Sequence, residues 1–244
     1  MNRFKFISGA VLSVLMLFVA CDPAENSYTA DTYTVDVYTV GSYNTLTPEF
    51  EDTLLTVSNF SSFDLTPGER VCLYMHQHFD AYDSRANKLE IVQIVERIPT
   101  LYLTPREEVD ASEYNMPLGT TPYWYKPNVW MWNDILNVST RFYAKKEATE
   151  FAMSVRAVRN DTIQLNLSAK TTAPSDTLAA RLLSYDLDDI ATFLTDDEKA
   201  SLKGYEKLKF RIFMKENVKT STGKDSIAEC AWNVTNAEFV NPVR

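Results

Sequence analysis

Val129-Trp130-Met131-Trp132-Asn133-Asp134-Ile135-Leu136-Asn137-Val138-Ser139-Thr140-Arg141-Phe142 opens the second half of the chain, and its reading decides the fold. Two tryptophans stand two residues apart, and apolar and polar residues then mix over a strand-length run. Side chains on a strand repeat their direction every two residues, so Trp130 and Trp132 share a face. Each tryptophan buries on the order of 200 Å². The expectation is one strand over 129–143, with the tryptophan pair dominating a sheet core. The chain beyond residue 143 has the same character. Residues 151–158 put Phe151, Met153 and Val155 on one face, and residues 162–169 do the same with Ile163, Leu165 and Leu167. Between them Asn160-Asp161 makes a tight turn. Leu208, Phe210, Ile212 and Met214 alternate with polar or bulky neighbours, and a last strand runs over 227–234. A helical patch over 188–194 precedes Thr195, which has Glu198 three residues on and so predicts a capped short helix. Residues 129–244 read as a β-sandwich with one or two short inserted helices.

The first half is also strand-like. Residues 32–40 alternate, placing Tyr33, Val35, Val37 and Thr39 on one face. Residues 54–59 form a second run. Leu65-Thr66-Pro67-Gly68-Glu69 is a turn. Residues 70–79 set Val71, Leu73 and Met75 opposite Cys72, Tyr74, His76 and His78, and residues 89–98 follow. Short strands at this spacing predict a small barrel or roll over 30–100. Residues 101–128 are a crossing. Pro99, Pro105, Pro117, Pro122 and Pro127 are half of the 10 prolines, and proline cannot join an inner ladder.

A leader precedes this all-β body. Arg3 and Lys5 are followed by an apolar run over 7–20, short for a membrane span and suited to a signal peptide. It ends Leu17-Phe18-Val19-Ala20-Cys21. A small residue before a cysteine at this place resembles a bacterial lipobox, with Phe18 standing where leucine is usual. The expectation is cleavage after residue 20 and lipid, palmitate included, on Cys21. This would anchor the protein in the cell envelope as an outer-membrane lipoprotein, with its side of that membrane open. Cleavage takes two cations from the net charge of -9, leaving -11. That balance, with no dense basic cluster, argues against nucleic acid. The 6 glycines are scattered, which excludes a glycine-rich phosphate loop. Cys72 and Cys230 are expected to be buried free thiols.

Ala20-Cys21, the turn and strand from Leu65 to Val71, the run Trp132-Asn133-Asp134-Ile135-Leu136-Asn137-Val138 and Leu183-Ser184-Tyr185-Asp186-Leu187 together resemble the NigD-like lipoproteins. The resemblance spans nearly the whole mature chain. It implies an N-terminal OB-like barrel, a C-terminal β-sandwich, and a binding or protective role tied to bacteriocin immunity. It implies no catalytic activity.

The residues themselves name few sites. His76 and His78 could begin a metal site, but Cys72 lies roughly 13 Å along the strand. No metal and no cofactor are expected. Tyr123, Trp124 and Tyr125, with Trp130 and Trp132, either offer rings to a glycan or close the seam between barrel and sandwich. The first three are the candidate ligand contacts, for an unknown protein, peptide or glycan. No Gly-x-Ser-x-Gly elbow occurs and the acidic clusters lack calcium-loop spacing. No catalytic residue is assigned. Asp-Thr or Asp-Ser followed by an apolar residue occurs at Asp52, Asp161, Asp176 and Asp225, and resembles a bacterial O-glycosylation sequon.

Overall fold

The computed structural model describes residues 29–49, 51, 53–81, 83–121, 123, 126–219, 223, 225–234 and 239–243. The leader and Cys21 lie outside them. Among the described residues the chain is all-β, with three sheets and one short α-helix, and no helix is long and apolar enough to cross a membrane.

Strands β1 (Thr29–Val40), β2 (Thr45–Pro48), β3 (Leu55–Thr56), β4 (Arg70–Asp80) and β5 (Lys88–Ile98) form one antiparallel sheet in the order β3-β2-β1-β4-β5. Alternation gives it two faces. Tyr38, Val40, Leu46, Val71, Leu73, Met75 and Ile91 fill an inner core. Val37 and Cys72 point the other way, toward the second half. The sheet curls until its two ends meet. Ser58 N–H donates to Leu89 O at 2.9 Å. The Asn59 side chain then acts as a strand residue would. Its Nδ2 donates to Ile91 O at 2.8 Å, and its Oδ1 accepts from Ile91 N at 2.9 Å. This closes an OB-like barrel through a side chain where a longer β3 would have served.

The second half adds β6 (Thr100–Tyr102), β7 (Gly119–Thr120), β8 (Val129–Trp132), β9 (Ile135–Ala144), β10 (Thr149–Arg159) and β11 (Thr162–Thr171). It continues with β12 (Pro174–Asp186), helix α1 (Asp196–Leu202), β13 (Lys207–Lys219), β14 (Asp225–Asn233) and β15 (Phe239–Val240). One sheet runs β6-β12-β9-β7 with β8 also on β9; the other runs β10-β11-β13-β14 with β15 on β13. Leu136, Val138, Phe142 and Leu183 of the first meet Met153, Leu165, Ile212 and Met214 of the second in one core. The halves therefore pack face to face as a sandwich. Helix α1 carries the capping box, with Glu198 N donating to Thr195 Oγ1 at 3.3 Å and Thr195 N to Glu198 Oε2 at 2.9 Å.

The opening stretch is corrected in one respect. Residues 129–143 are not one strand but the hairpin β8–β9, in which Trp132 pairs with Ile135. Asn133 takes φ 50°, in the left-handed region that asparagine tolerates. The fold-back reverses the roles of its residues. Val129 and Met131 enter the sandwich core, Trp130 faces the barrel, and Trp132 is half-buried. The tryptophan pair does not centre the sandwich.

Residues 100–121 lace the sandwich together. Thr104 N donates to Met153 O at 2.7 Å, Met116 N to Ala169 O at 3.0 Å and Leu118 N to Lys215 O at 2.7 Å, all on the β10–β11–β13 sheet. β6 and β7 lie in the opposite sheet. Residues 174–181, polar in sequence, are the start of β12, irregular between Pro174 and Ala179. Cys72 and Cys230 are not joined in a disulfide; the first is buried and the second partly so.

Candidate functional site

Two arrangements of polar side chains stand out. The first lies where the barrel meets the sandwich. Val37, Cys72 and Ile98 pack there on Trp130 and Leu182. Beside them the sequence buries charge. Arg70, at the start of β4, is 6% exposed and Glu49, just after β2, is 1% exposed. They form an ion pair. Arg70 Nη2 also donates to Asn137 Oδ1 at 3.0 Å, and Ser184 Oγ donates to the same oxygen at 2.7 Å. The Trp130 indole N–H donates to Glu49 Oε2 at 2.9 Å. Lys126 Nζ pairs with Asp36 Oδ1 at 2.8 Å and donates to Glu49 O at 3.4 Å. Both Glu49 oxygens are thus held, one from each half of the chain. Arg70 Nε and Nη1 are buried without a hydrogen-bond partner.

This network is suited to joining surfaces and not to reaction. Its carboxylate is neutralised, enclosed and fully engaged. Losing one member of such a buried pair costs about 3–5 kcal/mol, because the other charge is left without compensation.

Tyr123 belongs to the same seam. Its ring lies 6.3 Å from that of Trp130 at 28°, and its hydroxyl donates to Glu96 Oε2 at 3.1 Å. Burial holds this phenol far above the ordinary tyrosine range, helped by Cys72 and Glu96. Trp124 and Tyr125 lie outside the described residues.

The second arrangement is at the far end of the barrel sheet. His76 Nε2 and His78 Nδ1 each lie 2.9 Å from Asp31 Oδ1. This holds the Asp31 carboxyl below its usual range, His78 having the largest effect and His76 the next. Asp31, on the neighbouring strand, had no signal in the sequence, since pairing of β1 with β4 is what sets it opposite His78. Among the described residues no group of three or more histidine, cysteine or acidic side chains is arranged to hold a metal ion. Of the Asp-Thr/Ser sites, Thr177 and Ser226 are exposed. Thr162 is half-buried, with its hydroxyl donating to Asp161 Oδ1 at 3.0 Å.

No protein-family model matches the chain, and no curated protein is similar to it in sequence. Solved structures do share its fold. A NigD-like immunity protein from Bacteroides caccae ATCC 43185 aligns with a TM-score of 0.51 at 12% identity, over 83% of this chain and 96% of that one. A predicted lipoprotein from Bacteroides fragilis NCTC 9343 aligns with a TM-score of 0.57 at 13% identity, over 83% of this chain and 97% of the other. At these identities the likeness is one of fold.

Proposed function

We propose that this chain, built on the fold of a NigD-like immunity protein, is a non-catalytic lipoprotein of the cell envelope that binds or shields against a partner. The observation that carries the reading is Ala20-Cys21 at the end of an apolar leader, with the first strand of that fold beginning eight residues on. Lipid on Cys21 holds the protein in the outer membrane. Behind it stand a barrel through residue 100 and a sandwich from residue 129, with 101–128 between them. The role is protective, in keeping with bacteriocin immunity, and the partner is a protein, peptide or glycan met through surface side chains. Tyr123, Trp124 and Tyr125 remain contacts proposed from the sequence. The Glu49–Arg70 network supports this reading because it spends its charged groups on holding two surfaces in fixed relation.

Radiolabelled palmitate tests the anchor. The wild type takes up label and sediments with membranes, whereas Cys21→Ala loses the label and appears in the soluble fraction. A Cys21→Ala protein that still labels and stays membrane-bound contradicts the proposal.

A further inference from the structure

The outer face of the β1–β4–β5 sheet carries a row of rings and polar groups that the seam does not use. Antiparallel pairing sets Tyr33 opposite His76, and Asp31 opposite His78. β5 brings Glu90 beside His76 and Lys88 beside His78. Directly opposed residues share a face, so these side chains project together. The Tyr33 ring lies 4.7 Å from His76 at 20° and 5.6 Å from Tyr74 at 29°. It is held in place by its neighbours yet remains 56% exposed. Beside it the β4–β5 connection borders an open, shallow cleft of about 500 Å³, lined by the two histidines, Asp83, Arg85, Lys88 and Glu90.

The hydrogen bonding of the imidazoles limits what they offer. Asp31 Oδ1 lies within hydrogen-bond reach of both, at His76 Nε2 and His78 Nδ1. His76 Nδ1 and His78 Nε2 are the ring nitrogens that this carboxylate does not engage. Glu90 Oε2 is 4.0 Å from His76 Nδ1, too far for a direct bond. Carboxylate acceptors and the two imidazoles therefore border the cleft, next to the donors of Arg85 and Lys88. The lining cations and the Asp83 and Glu90 carboxylates balance in number.

From this geometry we infer that the face is a binding site for a neutral oligosaccharide. Vicinal hydroxyls both donate and accept, which suits mixed acceptors and donors in one cleft. The C–H face of a sugar ring suits a fixed aromatic shelf with a wet rim. With Asp31 counted, three carboxylates face the two cations Arg85 and Lys88, which disfavours an anionic ligand, as does the negative chain around it. The inference rests on reading the chain as a binding protein. It is independent of the anchor, because palmitate labelling is read separately from sugar binding.

The test is calorimetric titration of the full-length lipoprotein in a non-sugar detergent. The probes are the hexasaccharides of glucose in both linkages, of mannose, xylose and N-acetylglucosamine, with heparin as the charged control. At least one neutral hexasaccharide binds saturably at one site. Tyr33→Ala and His78→Phe each weaken it about tenfold or more, while Tyr33→Phe and a change at an exposed ring of the sandwich, Tyr143→Ala, leave it within about twofold. Three results overturn the inference. They are no binding by any neutral member, binding lost in Trp124→Ala and kept in Tyr33→Ala, or binding of heparin alone that vanishes with added salt.

Discussion

Tyr38, Tyr123 and Tyr185 are kept from ionising by loss of water. Burial pushes Tyr38 up to about 12, with the Asp36 carboxylate adding to the effect. Burial raises Tyr185 further, and its hydroxyl has no hydrogen-bond partner. In the unfolded chain a phenol ionises near 10. A folded pKa above that value stabilises the fold fully below pH about 10, and the contribution is lost as pH rises through the folded value. Spectrophotometric titration of the 13 tyrosines should show an ordinary group and a delayed group released only with unfolding. A single step at the ordinary pKa, complete before the fold is lost, contradicts the burial described. At this scale the sequence told only what is local. The Thr195–Glu198 cap is legible because its partners are three residues apart. The shared face of His76 and His78 is legible from strand parity. Glu49 and Asn137 look ordinary, since their partner Arg70 is 21 and 67 residues away.

At the scale of elements, length decided what periodicity could show. β4, β5, β11 and β13 carry many alternations and were readable. β2 has four residues and β7 two, too few for any pattern. The β8–β9 hairpin did carry a signal, since Asn133-Asp134 divides two apolar runs and asparagine accepts positive φ. Tryptophan spacing outweighed it, because parity assumes an unbroken strand. β5 shows a subtler failure of parity. Leu73 pairs with Ile94 and Cys72 with Glu96, leaving Val95 extra; Tyr74 pairs with Gln93 and Met75 with Ile91, leaving Val92 extra. Two bulges thus turn two core-like valines outward and bend the strand. Barrel closure rests on Asn59. Asn59→Leu removes both bonds to Ile91 and leaves its N–H and C=O unpaired, so stability by urea unfolding should fall about 1–3 kcal/mol. No change would mean that the barrel does not depend on this closure.

At the scale of the whole molecule, three sheets become one body through the apolar contact of Trp130 and Leu182 with Val37, Cys72 and Ile98, and through the buried charges beside it. Residues 100–121 bind the sandwich sheets to each other, so relative motion of the parts is opposed at both joints. Acylation at Cys21 would leave seven residues before β1. At about 3.5 Å per residue the start of β1 at Thr29 would then stand within about 28 Å of the membrane. If Cys21 is acylated as proposed, rigidity and tether together would present a fixed surface close to the bilayer. The joining of barrel to sandwich by Glu49 and Arg70 is the claim on which this picture stands. Urea unfolding of the wild type, Glu49→Leu, Arg70→Met and the double variant tests it. Each single change should cost about 3–5 kcal/mol and the double far less than their sum, because the pair is compensated only when both charges are present or both are gone. Single losses below about 0.5 kcal/mol, or two losses that simply add, would contradict it.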